Sequence, residues 1–213
     1  MPHGTFKARR GDNAPRPESP PPVNPAEWRR YDSIKSVVGI ASLWRPAVYK
    51  SEAESLIDYM YWVNERLLEA AERLTEEAYL GSAGPVRSLR ETLVHELDVE
   101  WSWRLNLLGT IGDEDDLQAE DFPDVKALRA RWQQDEAEMR AWVGGLSDED
   151  LERDVPSQFT QERRPLWQYL LHIVFHGAQQ QADAAAMLTA AGESPTEIGY
   201  LEYLRRHTPT SAG

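Results

Sequence analysis

The sequence predicts an all-α protein built as a four-helix bundle. Three observations carry that prediction. Four stretches of roughly 20 or more residues place apolar side chains at steps of three and four. Glycine, proline and acidic clusters stand between those stretches. The alternating apolar and polar runs that mark half-buried strands are nearly absent.

The first helix is predicted over 51–77, where Leu56, Tyr59, Val63, Leu67, Ala70 and Leu74 form one apolar stripe. The turn residues of 80–85, LGSAGP, end it. The second is predicted over 86–108 and stops at Gly109 and Gly112. The acidic loop that follows, from Asp113 to Asp121, lacks the central glycine and closing glutamate of a calcium loop and reads as a solvated connection. The third helix opens at Pro123, a good first-turn residue, buries Val125, Leu128, Trp132, Met139 and Trp142, and stops at Gly144 and Gly145. Residues 147–164 form a polar connector, with room for one helical turn where Ser147 and Asp150 have capping-box spacing. The fourth helix runs from Pro165 to Ala191 with Gly192 as its C-cap. A short helix from Ser194 to Arg206 completes the body.

The domain organisation follows: a disordered Pro-rich tail over 1–26, an arm of undefined structure over 27–50, the bundle over 51–206 and a tail over 207–213. Seven of the 14 prolines fall in the first 25 residues, a stretch with little to bury. The whole chain of 213 residues suits one domain plus a tail. Its net charge of -13 is uneven, because residues 1–36 carry seven basic against four acidic side chains. So acidic a body repels phosphate backbones and argues against nucleic-acid binding. No apolar run approaches the roughly 20 residues of a membrane span. The run from Val37 to Trp44 is too short and too far in for a standard signal peptide, so a cytoplasmic location is expected. With no cysteine, disulfides, thiolate zinc sites and a cysteine nucleophile are excluded, and thiol chemistry needs a thiol carried by a ligand.

Of the five histidines, three lie inside helices: His95 on the second, His172 and His176 on the fourth. Side chains four apart on a helix lie about 6 Å apart and can reach one metal ion. A turn of about 100° per residue then separates them. Trp167, Leu170, Val174, Ala178, Ala185 and Leu188 make the core stripe, with Gln181 interrupting its edge. His176 and Gln180 share a second, mostly apolar stripe with Tyr169, Ile173, Ala184 and Met187, whereas His172 shares a polar one with Gln168, Gln179 and Asp183. His95 keeps company with Thr92, Val99 and Trp103, an inward-facing set. Buried polar groups must be paired or coordinated. Two readings stand: a common centre holding an ion, or a hydrogen-bonded polar layer in the core.

The stretches LRETLVHELDVEWSW (89–103) and LLHIVFHGAQQQADAAAMLTAAGESP (170–195) resemble the second and last helices of the DinB-like superfamily, and residues 59–74 resemble its first. The likeness runs over 51–206. It implies a bundle with a three-histidine site for zinc, nickel or a similar divalent ion. The family's last helix usually reads His-Gly-x-x-His-Arg. In that register His95 and His176 match ligands, Gln180 stands in place of the third histidine and Gln181 in place of the arginine. A glutamine carbonyl is a weaker donor than imidazole. His172 is the alternative ligand, although the helical wheel turns it away. Relatives are thiol-dependent isomerases and S-transferases, which implies detoxification or stress chemistry on a small-molecule substrate with a low-molecular-weight thiol. Trp62, Asn64, Trp103 and Tyr169 are the candidates for a pocket wall, and ordinary aromatic core is the plainer account of Trp62 and Trp103. The competing expectation is a non-catalytic, stress-related bundle with a metal-free polar core. Family members are often dimers, and Tyr200, Leu201, Tyr203 and Leu204 offer apolar surface for a second copy.

Overall fold

The structure is a computed structural model that describes residues 48–81, 87–112 and 116–207. The predicted Pro-rich tail, nearly all of the arm and the C-terminal tail beyond His207 lie outside the described residues, as does part of the acidic loop; His207 itself, predicted as tail, ends the last helix. Four long helices dominate: α1 (Lys50–Ala71), α3 (Leu89–Leu108), α4 (Val125–Gly144) and α6 (Leu166–Ala190). Three short ones accompany them: α2 (Glu76–Leu80), α5 (Asp148–Glu152) and α7 (Tyr200–His207). Both α1 and α3 pack against α6 and against α4, so the ring order is α1, α4, α3, α6. The fold is the four-helix bundle that the apolar periodicity predicts.

Several boundaries differ from the sequence reading, each for a local reason. The first helix ends at Ala71 instead of near residue 77. Thr75 accepts a hydrogen bond from the Ala78 amide and starts α2, and Glu76 and Glu77 sit favourably in that helix's first turn. The second begins at Leu89 because Ser88 and Glu91 form a reciprocal capping box. It ends at Gly109, whose φ of 71° lets the Thr110 amide reach the Leu105 carbonyl at 2.9 Å. The third is capped by Asp124, which accepts from the Ala127 amide at 2.7 Å, leaving Pro123 one residue outside.

The polar connector contains the expected turn, α5, with Ser147 and Asp150 capping each other. It also contains a feature the sequence hides. A short antiparallel hairpin pairs β1 (Asp154–Pro156) with β2 (Arg163–Pro165). Asp, Pro and Arg carry no strand signal of their own. The loop between the strands is gripped from the end of α3: the Asn106 side chain donates to Ser157 Oγ at 3.1 Å and accepts from the Gln158 amide at 2.8 Å. A tertiary contact fixes this hairpin in place of propensity.

The last segment is helical only from Tyr200, not from Ser194. Thr196 has a φ of 67°, and the stretch before α7 is tied down by the Tyr59 hydroxyl, which donates to the Ile198 carbonyl at 2.9 Å. Arg73 holds its start through Glu193 at 2.6 Å. On α7, Tyr203 is buried and Leu201 stays 80 % exposed.

Leu67, Leu93, Leu97, Leu128, Met139, Ile173 and Leu188 fill the core. Each such side chain contributes about 1.5–3 kcal/mol by leaving water. Through their midst runs a polar layer to which all four long helices contribute. Asn64 Nδ2 on α1 and Trp132 Nε1 on α4 each donate to the Glu100 carboxyl on α3 at 3.0 Å. Gln181 on α6 donates to Asn64 Oδ1 at 2.6 Å and to the Met60 carbonyl at 3.1 Å. Farther along α3, Arg104 forms a buried ion pair with Asp135 of α4.

Candidate functional site

The site grows out of the contact between α3 and α6. Gly177 sets how near α6 comes to its neighbours. A Cβ there would lie 3.3 Å from Met60 Sδ and 3.4 Å from Glu96 Oε1, tighter than ordinary packing. This close approach brings His95 of α3 and His176 of α6 together, with ring centroids 5.2 Å apart and planes at 75°. Both rings are half-buried.

Their protonation follows from that burial. Removal from water pushes the His176 imidazole down to about 4, with the nearby His95, His172 and Arg87 adding to the effect. His95 is lowered mainly by burial and by Arg87, against a smaller opposing influence of Asp98. Both rings are therefore neutral near pH 7, and each keeps an in-plane lone pair.

That geometry is compatible with one shared ion. Imidazole nitrogens about 2.1 Å from a zinc-like ion, at angles of a tetrahedral or facial site, hold ring centroids roughly 4.6–5.3 Å apart. The observed 5.2 Å lies in that range. Gln180 stands one turn after His176 and is half-buried, with no hydrogen-bonding or ionic partner among the described residues. Its carbonyl is free to serve as a neutral oxygen donor. What the structure brings together here is the pair of imidazoles. Among the described residues, no group of three or more His, Asp or Glu side chains is gathered so as to hold a metal ion.

The other candidates divide into separate places. His172 is exposed, with its ring 4.8 Å from Trp103 and 6.3 Å from His176. Trp103 and Tyr169 join it in lining a cavity of about 280 Å³. Trp62 and Asn64 do not belong to that wall. Trp62 packs with Tyr59 and with Tyr203 of α7, under the Arg66 guanidinium. Asn64 is spent inside the core between Glu100 and Gln181. These two differ from the expectation because α1 lies across the ring from α3, so its inward residues meet the core layer before they meet His95.

The sequence reading passed over Glu96 and Glu100. Burial pushes the Glu100 carboxyl up to about 8, with the Asp135 charge adding to it and the Trp132 and Asn64 hydrogen bonds opposing. Glu96, fully buried beside it, is raised well above the usual range by burial and then by Glu100. The signal was present: Leu93, Glu96, Leu97, Glu100 and Arg104 recur at helical spacing, so three charged residues occupy an apolar stripe.

A four-helix bundle with a pair of neutral histidines across two of its helices is the class of protein this fold and site define. The model of the DinB family matches residues 49–211, which takes in every helix described above. The chain belongs to the DinB family. No curated protein matches it. No helix among the described residues is long and apolar enough to cross a membrane.

Proposed function

We propose that the protein binds a divalent metal ion through His95, His176 and Gln180 and uses it in thiol-dependent transfer or isomerisation of a small molecule, as part of detoxification or stress chemistry. The observation that carries this reading is the pair of imidazoles, neutral by burial and 5.2 Å apart on facing helices. A bound ion would supply Lewis acidity and would hold a cofactor's sulfur as thiolate. The residues themselves do three things. His95 and His176 present unprotonated nitrogens. Gln180 offers a neutral oxygen that leaves the site less tightly closed than a third imidazole would. The helix contact at Gly177 fixes the spacing of the pair. The chain's own lack of cysteine is in keeping with a thiol that arrives with the substrate or cofactor.

A second reading is favoured by the core layer. Asn64, Glu100, Trp132 and Gln181 form a polar network joined by hydrogen bonds, which serves a bundle with no catalytic task as well as an enzyme. Metal titration by calorimetry separates the two. Under the first reading the purified protein takes up close to one zinc or nickel ion per chain, and His95→Ala and His176→Ala abolish uptake. Gln180→His tightens it by at least about tenfold, since imidazole is the stronger donor. Failure of both the native chain and Gln180→His to take up metal would leave only the non-catalytic bundle. We further infer a homodimer through α7, supported by Leu201 at 80 % exposure. A light-scattering mass of one chain removes it.

A further inference from the structure

Arg87 stands apart from every other arginine among the described residues. Each of the others meets a carboxylate, a backbone carbonyl or an indole ring. Arg87 is exposed and has no hydrogen bond, ion pair or ring contact among the described residues. Acids are plentiful in a chain whose net charge is -13, yet none of those described is spent on it. The nearest acid along the chain is engaged elsewhere. Glu91 accepts from the Ser88 amide at 2.6 Å as half of the capping box that starts α3, so its carboxylate is turned back on the backbone.

Its place relates that charge to the histidine pair. Arg87 immediately precedes the N-cap of α3, and His95 lies about two helical turns further on, roughly 11 Å along the axis. An arginine side chain reaches across part of that span. Both imidazoles feel its charge. Burial is the main cause that keeps His95 and His176 unprotonated, and Arg87 adds to it on α3 and, across the helix contact, on α6. The pair itself brings no negative charge. The acid whose charge also reaches His95 is Asp98, and its half-buried carboxyl accepts from the Leu117 amide at 2.9 Å. A cation seated between the imidazoles would thus stand near an unpaired guanidinium. Two positive charges so placed repel each other, and an anion that reaches both relieves the repulsion.

We propose that the ligand of the His95 and His176 site is a thiol that carries a carboxylate, anchored by Arg87. The guanidinium gives the carboxylate a charge-assisted contact, and the sulfur end extends towards the imidazoles. The inference rests on the metal reading for its chemistry, because that reading is what brings a thiol to the pair. The anchor itself is a single exposed residue, in a protein whose other charges turn anions away. Selection for an anionic thiol over a neutral one is therefore concentrated at position 87.

The test compares 3-mercaptopropionate with 3-mercaptopropionamide, which keeps the thiol and loses the charge. Binding to the full chain is followed at constant pH by the ring-proton resonances of His95 and His176, once with equimolar zinc and once with chelator. Where zinc is taken up, the zinc-loaded chain decides; where it is not, the chelated chain decides. The expected result in the deciding state is saturable binding of the carboxylate, about fivefold tighter than the amide, the upper end of what an exposed ion pair contributes. Arg87→Gln, exposed and outside the helix, should keep the native circular dichroism and bring the two thiols to equal affinity. Arg205→Gln, the same charge change on α7, should leave the preference intact. Equal affinity of the two thiols in the native chain overturns the proposal, as does a preference that survives Arg87→Gln or one that Arg205→Gln also removes. No saturable shift up to about 50 mM overturns it too. Zinc uptake without the preference leaves the metal reading standing, and an Arg87-dependent preference without zinc uptake leaves the anchor standing.

Discussion

At the scale of single residues, burial decides which proton each side chain keeps. The His176 ring stays neutral in the folded protein down to about pH 4, whereas an ordinary histidine protonates near 6.5. The unfolded chain therefore takes up a proton first. Stability from this group is whole above about pH 6.5 and is lost as the pH falls from there towards 4. His95, lowered in the same direction, adds to the loss. Because the ring is half-exposed, the loss from His176 is on the order of 1 kcal/mol, about 2–4 °C in the unfolding midpoint. Thermal unfolding of the native chain and of His176→Gln at pH 7 and pH 4.5 checks this. The variant should lose less on acidification, and an identical loss in both would refute the assignment. Glu100 acts in the opposite sense. Its folded carboxyl is raised to about 8, so its contribution is whole below about pH 4.5 and drains away as the pH rises towards 8. Glu100→Gln cannot ionise and keeps one acceptor oxygen where the carboxyl offers two, so it loses the hydrogen bond from either Trp132 or Asn64 at every pH. In denaturant titrations at pH 5 and pH 9 its stability should fall less with rising pH than that of the native chain.

At the scale of elements, the contact between α3 and α6 carries the site, and Gly177 carries the contact. Gly177→Val would push branched atoms into Met60 Sδ and Glu96 Oε1, which lie 3.3 and 3.4 Å from the first added carbon. Overpacking of this kind costs about 1–3 kcal/mol. The same wedge should separate His95 from His176, so metal uptake would fall along with stability, while Gly144→Val, at a position open to solvent, should leave metal uptake unchanged. The long helices were legible because each shows its stripe to any reader of the sequence. His95, with its Thr92 and Val99 neighbours, and His176, with Tyr169 and Ile173, were legible in the same way. The break at Ala71 and the hairpin were not. One depends on a single threonine cap competing with an unbroken run of good helix formers. The other depends on Asn106, some fifty positions away in the chain, reaching Ser157 and Gln158. A pattern confined to neighbours along the chain holds no record of such a contact. The pocket roles of Trp62 and Asn64 failed for a related reason: periodicity tells which residues face inward, but not which helix lies opposite.

At the scale of the whole molecule, the acid- and base-side effects meet. Between about pH 4.5 and 6.5, His176 and Glu100 change stability in opposite directions, and the half-exposed histidine offsets part of the glutamate's effect. Above that window only the glutamate side remains. The native chain should therefore show a gentle stability profile in the mildly acidic range and a clear decline towards pH 9, measured by the midpoint of denaturant unfolding. Removing both titrations, in Glu100→Gln with His176→Gln, should flatten the profile on both sides. A steep decline that survives the double variant would place the pH dependence elsewhere in the molecule.

The hairpin gripped by Asn106 has one more consequence. It supplies Thr160 and Arg164 to a cavity whose remaining walls belong to helices committed to the core. Substitutions in its six-residue loop can alter the lining while the four helices keep their packing unchanged. The shape and polarity of that hollow can therefore drift at little risk to folding, which makes this small strand pair the place where a lineage could vary its surface and inherit the same bundle.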